Sequence, residues 1–134
     1  MTKRRFERLV AGEAARIPER FRRRLTNLAF FAEEEPTPEQ LREQGLPEED
    51  ALLGLFEGVP LGEQAGVAWQ LPNRIIVFKR PTEEEARERG VTIREVVRET
   101  IWHEVAHYLG MDESEVRAAE ERRNDAHLAR NAGL

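Results

Sequence analysis

Apolar positions along this chain change their spacing from one stretch to the next, and the changes mark the elements. Between residues 3 and 16, Phe6, Leu9 and Val10 fall on one face of a helix. Ile17 and Pro18 follow, and a proline there suits the first turn of a second short helix, over about 18 to 25, that carries Phe21 and Leu25. The run Leu28-Ala29-Phe30-Phe31-Ala32 then closes in Glu33-Glu34-Glu35-Pro36, the profile of a strand ending in a polar turn. Thr37 ahead of Pro38 and Glu39 predicts the N-cap of a brief helix ending near Gly45.

The middle of the chain reads as a small sheet of three or four strands. Leu52-Leu53-Gly54-Leu55-Phe56-Glu57-Gly58 is a strand interrupted by a glycine. Val67-Ala68-Trp69-Gln70 and Arg74-Ile75-Ile76-Val77-Phe78-Lys79 are its neighbours, joined through the turn Leu71-Pro72-Asn73. Pro81-Thr82 is expected to end the last strand, which is the candidate sheet edge, and Glu83 to Glu88 form a polar helical stretch broken by Gly90. Thr92 with Glu95 forms a capping box, after which Ile93, Val97, Ile101 and Val105 recur every fourth residue as the buried side of a longer helix. Thr100, His103, Glu104 and His107 fall on the neighbouring stripe. Gly110 ends that helix, and a charged helix follows from Asp112 to about Leu128.

At 134 residues the chain suits one domain, 1–134, with room for one core. No apolar run approaches the roughly 18 residues of a membrane span, so a soluble protein is expected. Its first residues resemble neither a secretory nor an organelle-targeting signal, which points to the cytoplasm. Charge is uneven: residues 1–24 hold nine basic and three acidic side chains, net +6, in a chain of net −5. That segment reads either as a solvated helix face pairing with the protein's own acidic segments or as an arm for nucleic acid; charge runs usually just solvate helices, and the overall acidity makes a nucleic-acid surface the weaker expectation.

Chemistry enters at His103-Glu104-Val105-Ala106-His107. Residues four apart lie one above the other on a helix, so the imidazoles of His103 and His107 can meet one metal ion with Glu104 beside them. A carboxylate in that position serves as a general base toward a metal-activated water. With no cysteine in the chain, any metal site is restricted to histidine, carboxylate or water ligands, a set that fits catalytic Zn2+. Such a site needs three protein ligands and one open position. Continuing from His103 the chain reads His-Glu-Val-Ala-His-Tyr-Leu-Gly-Met-Asp-Glu, which puts Glu113 where the metzincin pattern has its final histidine. Asp112 is the alternative third ligand, and Glu113 also has a purely structural explanation in the first turn of the next helix.

This motif, with the segments 52–61 and 71–78, resembles the small bacterial family of minimal zincin-like metallopeptidases, in which an acidic residue holds the third ligand position. The resemblance implies an α/β (α+β) zincin fold in which a small mixed sheet packs against helices, including the metal-binding helix. It carries His103, His107 and Glu113 over as metal ligands and Glu104 as general base, and implies a peptide or protein substrate. Tyr108 is either an oxyanion donor or a core residue, the latter favoured by the adjoining apolar stripe. Trp69 and Trp102 read as core or cleft wall, and His127 as a surface residue. Two other function classes share parts of the pattern. A zinc-dependent endoribonuclease matches at Asp112 but departs at Glu104 and Glu113. A zincin-fold binding module with little catalysis suits the small size.

Overall fold

In the computed structural model the described residues are 1–25, 27–46, 52–58, 73–111, 114, 115, 117 and 118. Their centre is the strand β3 (Asn73–Phe78), in which Ile75, Ile76, Val77 and Phe78 are all fully buried. It pairs in parallel with β1 (Leu28–Glu33) and antiparallel with β2 (Gly54–Glu57), giving the order β1-β3-β2. The sheet is therefore mixed, as expected, but the run over residues 74 to 79 is its middle strand and not its edge. The physical reason lies in the composition, since a near-continuous apolar run is the pattern of a strand covered on both faces. The strand expected at residues 67–70 lies outside the described residues.

Five described helices surround the sheet: α1 (Lys3–Ala15), α2 (Glu19–Arg22), α3 (Pro38–Glu43), α4 (Lys79–Arg89) and α5 (Ile93–Tyr108). Thr2 caps α1 by accepting the Arg5 N–H at 3.2 Å, and Phe6 and Val10 turn its apolar face inward. Glu13 is buried on the same helix, its carboxylate held by Arg94 of α5 at 3.1 Å and by Arg16 at 3.8 Å. Thr37 caps α3 as predicted, and the structure adds Gln40 as its reciprocal partner in a capping box.

The beginning of α4 departs from expectation. Pro81 does not end the preceding strand; it lies in the first turn of a helix that starts at Lys79, where its missing N–H leaves no intrahelical bond unmade. Backbone and charge contacts to the end of β1 hold this start. Arg80 N–H donates to the Glu34 carbonyl at 3.0 Å, and Lys79 Nζ reaches Glu34 at 2.9 Å and Glu83 at 3.2 Å. Gly90, at φ +68°, closes α4 in the left-handed conformation and releases the chain into α5.

Thr92 and Glu95 form the predicted reciprocal cap of α5, both bonds being 3.1 Å. Val97, Ile101 and Val105 are fully buried with Ile75 and Val77 of β3, Phe6 and Val10 of α1, and Trp102 and Tyr108. Each such side chain contributes about 1.5–3 kcal/mol when removed from water. Together they fix the rotation of α5 about its axis, and with it the direction of the adjoining stripe. On the other face of the sheet Leu55, Ile76 and Phe78 form a second buried cluster. The helix ends at Gly110, φ +74°, where Met111 N–H donates back to Ala106 at 3.0 Å. Residues 114, 115, 117 and 118 are helical, while most of the last predicted helix lies outside the described residues. Among the described residues no helix is long and apolar enough to cross a membrane.

Candidate active site

With one side of α5 committed to the core, the stripe beside it carries Thr100, His103 and Glu104 to the side facing the cleft, with His107 one turn beyond His103. Thr100 is buried and donates its hydroxyl to the Val96 carbonyl at 2.8 Å. His103 and Glu104 are half-buried and His107 is exposed. The two imidazole rings meet edge to face, with centroids 4.4 Å apart and planes at 62°. Two imidazoles at this spacing are a donor set suited to zinc. Among the described residues no third histidine or acidic side chain joins them in a cluster able to hold a metal ion. Glu113 and its alternative Asp112 both lie outside the described residues.

Glu104 is held from the strand side. In the antiparallel ladder Leu55 lies opposite Ile76, and Phe78 N–H donates to the Leu53 carbonyl at 2.9 Å. Residues along such a ladder alternate between bonding inward and pointing outward, so Gly54 and Phe56 direct their backbone groups away from β3. The Phe56 N–H takes the Glu104 carboxylate as its acceptor. Burial pushes the Glu104 carboxyl above the ordinary carboxylate range, and the neighbouring imidazoles of His107 and His103, with the Phe56 N–H, act against that rise.

Gly54 is what lets the strand come this close. A β-carbon there would collide with the Thr100 methyl and would sit 3.3 Å from the Ile76 carbonyl oxygen and 3.6 Å from Glu104 Cγ. The glycine that interrupts the strand pattern is thus the point where β2 rests on the stripe carrying Glu104. Its position is visible in the sequence, but its purpose is not; the Phe56 N–H, a backbone group, leaves no sequence signal at all.

A cavity of about 450 Å³ opens beside these groups. His103, Glu104, Thr100 and Gly54 line it together with Leu52, Leu53 and Trp102, and Glu85, Arg89, Arg98 and Glu99 supply its charged wall. Trp102 is buried edge to face against Phe21 at 5.0 Å, so it is both core and cleft wall. Tyr108 is buried against Phe56 at 5.5 Å and belongs to the core. Trp69 and His127 lie outside the described residues. Arg98 belongs to no motif, and sequence reasoning passes over it.

The structure is similar to that of a conserved hypothetical protein from Thermus thermophilus, with 29% sequence identity, a TM-score of 0.53, and coverage of 81% of this chain and 94% of that one. No functionally curated protein matches the chain. The family model described as zincin-like metallopeptidase matches residues 25–123, a span that takes in the whole sheet, α5 and the two histidines. The chain belongs to the family of zincin-like metallopeptidases.

Proposed function

We propose that this protein is a zinc-dependent peptidase in which His103, His107 and Glu113 hold the metal and Glu104 is the general base. The observation that carries this reading is the setting of Glu104: a half-buried carboxylate beside two facing imidazoles, its carboxyl oriented by the Phe56 N–H. Zinc bound there supplies Lewis acidity toward a carbonyl oxygen and toward water. Glu104 takes the proton of the attacking water and delivers it to the leaving nitrogen. The outward backbone groups of Gly54 and the carbonyl of Phe56 hold an extended peptide as an added strand along β2, which among the described residues is the edge beside the cleft. A peptide or protein substrate, one domain spanning 1–134 and a cytoplasmic site of action complete the proposal.

Metal content and turnover test it together. The wild-type protein is expected to bind one zinc ion and to cleave members of a broad peptide library. His103→Ala and Glu113→Ala are expected to lose zinc as read by emission spectrometry. Full zinc affinity in Glu113→Ala would remove that residue from the ligand set and leave Asp112 in its place.

A further inference from the structure

The cavity beside Glu104 has a charged wall whose members are unequally satisfied. Arg89 grips Glu99 through two nitrogens, at 2.7 and 3.2 Å, and lies 3.8 Å from Glu85. Both carboxylates of the wall are therefore engaged by one guanidinium. Arg98 lines the same cavity, half-buried, and makes no ion pair or hydrogen bond with any described residue. A guanidinium keeps its charge at every accessible pH, and its planar fork matches a carboxylate. Next to the apolar surfaces of Leu52, Leu53 and Trp102 this cation is only partly solvated, which raises its preference for an anionic partner.

Position narrows the partner. Arg98 precedes His103 by five residues on α5, roughly 7.5 Å along the helix axis. An extended peptide advances about 3.3 Å per residue, so a carboxylate meeting Arg98 belongs about two or three residues from the bond presented to Glu104. We propose that Arg98 is a specificity-determining residue that binds a substrate carboxylate, so that the preferred substrates carry an anionic group close to the bond to be cut. The peptide nature of the ligand rests on the peptidase reading above; the demand for a carboxylate rests on Arg98 alone. That carboxylate is either a free C-terminus or an aspartate or glutamate side chain, and the chemistry at Arg98 is the same for both.

Calorimetric binding to the zinc-loaded Glu104→Gln protein, which leaves the ligand intact, tests the proposal. The probes are acetyl-Leu-Ala-Ala as free acid and as carboxamide, and acetyl-Leu-Asp-Ala-amide beside acetyl-Leu-Asn-Ala-amide. The acid of at least one pair is expected to bind about tenfold or more tightly than its neutral twin, the usual size of a charge-assisted hydrogen bond. Preference within the first pair assigns the C-terminus, and preference within the second assigns the side chain. Adding Arg98→Gln should bring the twins to parity, Arg98→Lys should keep part of the preference, and Arg8→Gln on α1 should leave it whole. Parity of both pairs in the Arg98 protein, or a preference that survives Arg98→Gln, overturns the assignment. Wild-type hydrolysis without acid preference sinks the role of Arg98 and spares the peptidase reading. An Arg98-dependent acid preference in a protein that cuts nothing does the reverse.

Discussion

Where the end of β1 meets the start of α4, the chain is tied by charges: Lys79 to Glu34 and Glu83, and Arg80 to Glu35 at 2.7 Å. Where β2 passes α5, it is tied by a missing methyl group and one backbone N–H, through Gly54 on Thr100 and Phe56 on Glu104. The first edge is redundant. Arg80 and Glu35 are largely exposed, a pairing that contributes about 0–1 kcal/mol, and Lys79, nearly buried, is shared between Glu34 and Glu83, so the loss of any one contact leaves the others in place. The second edge has one acceptable geometry, because a glycine contact cannot be shared out among neighbours. Where orientation of a single carboxylate matters the chain uses steric fit, and where only attachment matters it uses exchangeable charges.

The sharpest break of this contrast falls on the carboxylate itself. Glu104→Gln keeps the shape of the β2 edge while removing the base, so turnover is expected to fall by roughly 10²–10⁴-fold. Zinc content and thermal stability should stay near wild type. Steady-state peptidase kinetics beside metal analysis measure both, and an unchanged rate would refute the role of Glu104. Gly54→Ala is the next largest. The added methyl has to displace Thr100 or push β2 outward, at a cost of about 1–3 kcal/mol by urea titration, with a loss of activity because the Phe56 N–H moves off Glu104. If the alanine variant unfolds at the same urea concentration as wild type and works as well, the β2 edge is no tighter than the β1 edge.

Much of this is legible in the sequence because it rests on local chemistry. The N-cap at Thr37, the capping box at Thr92, the every-fourth-residue stripe of α5 and its stop at Gly110 are decided by neighbours within a few positions. The pairing of His103 with His107 and the proximity of Glu104 follow from one turn of helix. What the sequence hides is non-local. Strand order depends on which strands are covered on both faces, and the run at residues 74 to 79, expected at an edge, lies at the centre. The polar neighbours of Pro81 suggest a breaker; tied to the end of β1 through Lys79 and Arg80, it serves as a helix start. Gly54 shows only as an interruption, since the sequence does not say what lies across from it.

On the charged side, removal of one partner should be nearly silent. Glu34→Gln takes away the Lys79 and Arg80 contacts at the end of β1 but leaves the Arg80 N–H bonded to the Glu34 carbonyl and Lys79 bonded to Glu83. The expected cost is below about 1 kcal/mol, with zinc content and turnover unchanged. A loss as large as that of Gly54→Ala would show that these charges act as a unit rather than as interchangeable pairs.

Acid sharpens the comparison with the smallest effect. Burial pushes the Glu83 carboxyl up, but hydrogen bonds from the N-terminal amine at 3.1 Å and from Lys79 at 3.2 Å outweigh it and hold the group below its ordinary 4.5. Lys79, bonded chiefly to Glu34 and then to Glu83, is held above 10.5. An acid whose pKa is lower folded than unfolded contributes stability above its unfolded value and loses it as pH falls through the folded one. A base whose pKa is raised contributes below its unfolded value and loses it as pH climbs through the folded one. The Glu83 contribution is therefore present at pH 7, starts to fade below about 4.5, and is gone once the folded carboxyl is protonated. Urea titrations of wild type and Glu83→Gln at pH 7 and pH 3 should show a small gap that narrows in acid. The gap between wild type and Gly54→Ala, a steric defect that carries no proton, should persist at both. If the Glu83→Gln gap also persists at pH 3, attachment at the β1 side is packing in charged residues, and the two edges differ only in degree.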